Sequence, residues 1–277
     1  NTGRKRWGTR HIDSREVQIT NKKFLNEMIE DYGIDSDMVK IRVRGMFPKM
    51  SAKQFISVDD VDRAFGRVLV PGQYNFAPKI LTLDNAWEGD DEGVIGLRQG
   101  LAFKLLRIFG KNDNDIEVAN VLAQIEDDED VDAVFIDAGY GTGVVSAGKT
   151  MGRDWKLVWF GGASPDKGCL NMRSYIWREC RDWLKSGGAI PQDHVLYNHL
   201  TRPWTVPRMD GVIQLEAKKD MKARGEPSPG RAEAHAISFA YPVTRKLRGI
   251  AAEVQRSRNG RASSHNHNPY EQEDIRP

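Results

Sequence analysis

A mixed β-sheet with helices on its faces is the α/β fold this sequence predicts, and three observations predict it. Two apolar runs, Gly93 to Arg98 and Leu101 to Phe109, are separated only by Gln99-Gly100, which signals an antiparallel hairpin. Val118, Val121, Leu122 and Ile125 fall on one face of a helix spanning Asp115 to Glu126. Short apolar runs with strand character stand on either side of these elements, Ile80 to Asp84 before them and Val131 to Asp137 after. A meander followed by alternating strands and helices gives an antiparallel portion and a parallel portion in one sheet.

The elements follow in order. His11 to Arg15 is strand-like, Lys22 to Tyr32 has helical spacing through Phe24, Leu25, Met28 and Ile29, and Val39 to Val43 reads as a short alternating strand. Pro71 and Gly72 punctuate a connector from Val68 to Gln73. After the meander, the helix and the strand to Asp137, Leu157 to Phe160 is a further strand that ends at Gly161-Gly162. Asn171 to Lys185 is a helix with Trp177, Cys180, Trp183 and Leu184 spaced for burial. Val212 to Leu215 is strand-like after the Asp210-Gly211 turn, and Glu216 to Arg224 is a short helix stopped by Gly225. Pro229 to Ala240 is the last helix, and from Arg256 onward Ser, Asn, His and Pro predict a disordered tail.

Composition narrows the class. The chain has 277 residues, with the apolar and charged content of an ordinary globular protein. It has no apolar run long enough to span a membrane and no secretory signal. It lacks an initiator Met and opens in polar sequence, as expected of a piece of a longer chain. Cys169 and Cys180 make neither a disulfide framework nor a zinc site, so reduced thiols in a cytosolic setting are expected. The net charge of +2 is too small to imply a polyanion partner by itself. Basic residues do gather at Arg4 to Arg10 and from Arg245 to Arg261, where they could line a nucleic-acid path or simply be solvated ends.

Three acids stand on apolar elements: Asp84 and Asp137 at strand ends, and Glu233 on a helix otherwise built from Ala, Ile and Phe. A carboxylate there is costly to desolvate unless it is paired or holds a cation. Asp84 and Asp137 can share one sheet end, and a C-terminal helix packed across the sheet could bring Glu233 to them. Such a trio suits hard divalent cations, which take carboxylate oxygens and water.

These residues resemble the large subunit of tailed-phage terminases, specifically its C-terminal nuclease domain. Asp84-Asn85-Ala86-Trp87-Glu88-Gly89-Asp90-Asp91-Glu92 through Arg98-Gln99-Gly100 is similar to the first acidic motif and its hairpin. Phe135-Ile136-Asp137 with Gly139, Gly141 and Gly143-Val144-Val145 is similar to the second. Ile213-Gln214-Leu215-Glu216 through Arg224-Gly225, Ser228-Pro229 and Ala232-Glu233-Ala234 looks like the third. Phe160-Gly161-Gly162 and Asn171 to Leu184 resemble the intervening helix, and the likeness covers roughly residues 75 to 242. Within residues 1 to 65, His11 to Arg15, Tyr32-Gly33 and Val43-Arg44-Gly45 with Phe47-Pro48 resemble the end of the family's ATPase domain. The chain departs from the family at Glu233, where Asp is usual, at Gly230, where an acid is common, and at His235, where the family is aliphatic.

The resemblance implies a ribonuclease-H-like fold over residues 71–250, preceded by an ATPase remnant and linker (1–70) and followed by a flexible basic and polar tail (251–277). It implies an endonuclease that cuts concatemeric double-stranded DNA with two divalent cations, Mg²⁺ or Mn²⁺, about 3.5–4 Å apart. Asp84 would bridge both ions, Asp137 would hold one and Glu233 the other, with Asp91 a weaker candidate and Lys218 or Lys219 a phosphate contact. The implied partners are a portal protein and a small terminase subunit, in the host cytoplasm, with the isolated domain a monomer.

Other motifs carry less. Gly143 to Thr150 matches the phosphate-binding P-loop pattern, but that site needs Lys and Thr to open a long helix. Gly152 and the strand-like Trp155 to Phe160 leave no room for one, so a glycine-rich loop beside Asp137 is expected. His265 and His267 lie in the tail, and His194, His199 and His235 show no ligand spacing. Ser164 and Ser228 lack a nucleophile elbow. Trp155, Trp159, Trp177, Trp183 and Trp204 could stack bases, though burial is the better expectation for most of them.

Overall fold

The computed structural model describes residues 11–34, 37–46, 53–85 and 92–246. The expected disordered tail, most of both basic clusters and Asp91 lie outside the described residues. A five-stranded sheet in the order β3-β2-β1-β4-β5 organises the chain. β1 (Lys79–Asp84) pairs antiparallel with β2 (Gly93–Gln99), and β2 pairs antiparallel with β3 (Ala102–Phe109). On the other side β1 runs parallel to β4 (Ala133–Asp137), and β4 runs parallel to β5 (Lys156–Val158). The expected meander and parallel pair are both present. The hairpin turn falls one residue later than predicted, on Gly100-Leu101 between the paired Gln99 and Ala102, and the positive φ of Gly100 suits glycine.

Both faces of the sheet are covered, which is why β1 and β4 read as nearly continuous apolar runs. On one face Leu81, Leu83, Val134 and Ile136 pack against Val118 and Leu122 of α4 (Asp115–Asp128) and Val144 and Val145 of α5 (Thr142–Thr150). On the other, Ile80, Phe103 and Phe135 meet Trp177 and Cys180 of α6 (Met172–Lys185) and Ala232 and Ala236 of α9 (Gly230–Ile237). Leu196 and Leu200 of α7 (His194–Thr201) complete that core, and so do Val61 and Ala64 of α3 (Val58–Ala64). Asn114, Asn171 and Asp193 cap α4, α6 and α7, each accepting a backbone N–H three residues on.

The N-terminal segment departs from expectation. Residues 11–13 are irregular and 14–16 form a turn, not the expected strand. Val39 to Val43 is not a strand either: α2 (Asp37–Arg42) occupies it, because Val39 and Val43, four apart, both bury against Leu25 and Met28 of α1 (Lys22–Tyr32). Val212 to Leu215 makes only isolated bridges, Ile213 to Cys169 and Leu215 to Thr205. The predicted glycine-rich loop at 143–150 is helix α5. Lys149 and Thr150 close this helix rather than open it, so the P-loop geometry is absent there.

Candidate metal centre

The parallel register of β1 and β4, ending at Leu83 opposite Ile136, brings Asp84 and Asp137 to the carboxyl ends of neighbouring strands. Both are largely buried, at 6% and 7% exposure, and both line a cavity of about 650 Å³. Burial pushes the Asp137 carboxyl up, Lys218 opposes that shift, and the Glu233 charge adds to it. The Gly139 backbone N–H donates to Asp137 Oδ1 at 3.3 Å. Asn85 follows Asp84 into the cavity wall. Its Nδ2 donates to the Tyr140 carbonyl at 3.1 Å, while its buried Oδ1 has no hydrogen-bond partner among the described residues.

Glu233 is placed differently. The first turn of α9 leaves it fully buried at 0% exposure, with Oε1 accepting from Arg173 Nε at 2.9 Å and Oε2 paired with Lys218 Nζ at 2.5 Å. Burial would raise its pKa, but Lys218 and Arg173 together hold the carboxylate below its ordinary value. Arg173 also donates to the Glu216 carbonyl at 2.5 Å, so its guanidinium is fixed from two sides. Lys218, at the start of α8 (Lys218–Ala223), is itself a cavity residue. Burial acts to lower its pKa, yet the charges of Glu233, Asp84 and Asp137 raise it on balance, so its ammonium stays protonated. Glu233 therefore stands behind Lys218, and Lys218 faces the two aspartates.

Gly230 and Arg231 form the adjoining wall at the start of α9. A Cβ at Gly230 would stand 3.2 Å from Asp84 Oδ2. Arg231 pairs with Glu92 at 2.7 Å and Asp193 at 2.6 Å, tying α9 to the entry of β2 and the cap of α7. His199 Nδ1 lies 3.3 Å from the Arg231 backbone N–H, and burial beside that guanidinium pushes the His199 pKa down to about 4.

Among the described residues no three His, Cys, Asp or Glu side chains gather as a ready-made metal site. Three described carboxylates line the cavity: Asp84 and Asp137, with the Asn85 amide oxygen beside them, and Glu92, which is paired with Arg231. Hard oxygen donors of this number fit Mg²⁺, which keeps several waters and often takes only one or two carboxylates. Of the sequence-predicted residues, Asp84 and Asp137 come together, Lys218 lines their cavity, and Glu233 is near enough for its charge to act on Asp137 but is held by Arg173 and Lys218. Sequence reasoning missed Arg173, sixty residues from its partner and without a local signal, and also Glu92, Arg231 and His199.

The fold is similar to that of solved nuclease domains of phage large terminase subunits. The nuclease domain of the large terminase subunit gp2 of bacterial virus Sf6 matches with a TM-score of 0.53 over 68% of this chain and 98% of its own, at 16% identity. A variant of that domain with manganese and beta-thujaplicinol gives 0.54 over 68% and 98%, also at 16% identity. A variant with calcium gives 0.53 over 68% and 99%, at 17% identity. No family model and no curated sequence matches the chain. At such identities the likeness establishes the fold.

Proposed function

We propose that this chain is the metal-dependent DNA endonuclease domain of a viral DNA-packaging terminase. The observation that carries the reading is the placement of Asp84 and Asp137 on adjacent strand ends, in the wall of a cavity also lined by Lys218, Lys222 and Arg231. Asp84 and Asp137 would hold a divalent cation. When bound, such an ion supplies the charge that makes water a nucleophile at neutral pH and offsets charge on the reacting phosphate. The protein's own residues bind and orient: Lys218 offers a fixed positive charge to a phosphate oxygen, and Glu233 with Arg173 keeps that ammonium aimed between the aspartates. The wider setting follows from the sequence resemblance: double-stranded DNA as substrate, a portal protein and a small terminase subunit as partners, and the host cytoplasm as the place of action.

Among the described residues, a further carboxylate for a two-ion scheme would have to come from Glu233, which is held by two cations, or from Glu92, which is paired with Arg231. That observation favours a second reading, a nuclease-like module with a weakened centre that grips DNA or docks to a portal. Plasmid cleavage with Mn²⁺, compared between wild type and Asp137→Ala, tests both readings. Cleavage lost in the variant supports the enzyme and the site. A wild type that never cuts leaves only the gripping module, and equal cutting by the variant removes Asp137 from the centre.

A further inference from the structure

Two large aromatic side chains stand exposed at the rim of the same cavity. Trp159 follows β5 and is 58% exposed, and Tyr140 follows β4 and is 45% exposed. Burial is the rule for the other described tryptophans: Trp155, Trp177 and Trp183 are core residues, and Trp204 is half-buried between Lys53 and Arg224. The fold holds the rim pair in place. The β4–β5 register pairs Asp137 with Val158, so Tyr140 and Trp159 leave neighbouring strand ends just beyond the carboxylate. The Tyr140 carbonyl is bonded to Asn85, and the Trp159 carbonyl accepts from the Gly162 N–H at 2.9 Å. Positive charge stands beside the pair, with Lys218 Nζ 5.5 Å over the ring of Phe160, the residue after Trp159.

We propose that Tyr140 and Trp159 form a stacking platform for an unpaired DNA base next to the carboxylates, which gives the centre a preference for frayed or single-stranded DNA over intact duplex. The inference rests on the nuclease reading for its substrate. Aromatic side chains bind bases through their faces, and base–aromatic stacking is tolerant of sequence because every base has a π-face. In a duplex those faces are stacked on one another, so a base must leave the helix to stack on Trp159, which lines the same cavity as Asp84 and Asp137. A cavity lined by Lys218, Lys222 and exposed aromatic rings suits a polyanion with flat rings better than an apolar protein segment.

The test measures binding of fluorescein-labelled oligothymidine and of a duplex of equal length by anisotropy in Ca²⁺, for wild type, Trp159→Ala, Trp159→Phe and Tyr140→Ala. The wild type should favour oligothymidine. Trp159→Ala should lose on the order of tenfold in oligothymidine affinity, with a smaller loss for duplex, while Trp159→Phe retains most of the preference. The salt dependence of binding should keep its wild-type slope, because no phosphate contact is removed. Unchanged oligothymidine affinity in Trp159→Ala and Tyr140→Ala, or equal losses on both ligands, would overturn the platform. Mn²⁺-dependent plasmid cleavage by the same proteins separates the two ideas. Cutting without a stacking effect sinks the platform alone, whereas a stacking effect without cutting sinks the nuclease and keeps the platform.

Discussion

The strand ends and the first turn of α9 each present buried acid, and the two regions treat it in opposite ways. At the strand ends, burial leaves Asp137 with a raised pKa, so its ionised form is destabilised by the fold. On α9, Arg173 and Lys218 more than offset burial, and the ionised Glu233 is favoured. A carboxylate kept ionised against the preference of its surroundings is poised for a cation from outside. A carboxylate already served by two cations is part of the scaffold. The contrast supports the proposal that Asp137 belongs to the chemistry and Glu233 to positioning.

The largest expected effect breaks the scaffold side. Glu233→Ala leaves Arg173 and Lys218 with a buried charge unmatched, a loss of about 3–5 kcal/mol in denaturant unfolding. If Glu233 were instead a metal ligand on call, the variant would lose Mn²⁺ affinity by calorimetry with little change in stability.

Asp137→Ala should behave in the reverse way, with cleavage reduced more than ~100-fold, since even the outer partners of metal ligands cost 10–100-fold when removed. Its stability should hold or rise at neutral pH. The folded pKa of Asp137 lies above the unfolded value, so the native state binds the extra proton and stability falls as pH rises through that window. The mutation removes this penalty, and unfolding curves at pH 7 would show a marked loss if the assignment were wrong.

A third effect is pH-dependent. His199 has a folded pKa of about 4 against an unfolded value near 6.5, so the unfolded chain binds the extra proton between them. Its contribution to stability is therefore full above about pH 6.5 and is lost as pH falls toward 4, by on the order of 2–3 kcal/mol. His199→Gln should flatten the stability profile across that window, apart from the share of His235, which is also held neutral by burial. A profile that is unchanged by the substitution would remove His199 from the account.

The smallest effect sharpens the strand side. A Cβ at Gly230 would stand close to Asp84 Oδ2, at 3.2 Å, and Gly230→Asp adds a carboxylate to that crowded wall. Titration with Mn²⁺ should show a several-fold gain in affinity, on the scale of outer-shell changes in metal sites. A loss of affinity would mean that the wall is closed to a third acid.

The sheet was legible because its signals are local and periodic. The hairpin, the helix at 115–126 and the two strands ending in Asp were expected and are present. Of the short helices, α8 and α9 were expected and are present, whereas α2, α3, α5 and α7 were not expected. α5 contains Gly143 and Gly148, poor helix formers that read as loop. In the fold a side chain at Gly148 would strike the buried Trp155 ring, so close packing and not flexibility explains that glycine. α2 was misread because Val39 and Val43 carry strand-forming side chains, and burial against α1 decided the outcome. The candidate centre was legible where it depends on strand ends. Its other half depends on pairs such as Arg173 with Glu233, which no spacing along the chain reveals.

Arg98 carries a consequence for how the cavity is made. This buried guanidinium, its pKa held down to about 10, reaches from β2 to the end of α9, donating to Ser238 Oγ at 2.8 Å and to the Ser238 carbonyl at 2.9 Å. It lies 4.3 Å from the ring of Phe239. Its partner is 140 residues away along the chain. Contacts of that separation are slow to form, because the entropy of closing the long loop must be met before they contribute. The meander that carries Asp84 closes short loops, the β1–β4 pairing that adds Asp137 closes a longer one, and the wall that holds Glu233, Gly230 and Arg231 closes the longest, so the expected order of formation follows that sequence.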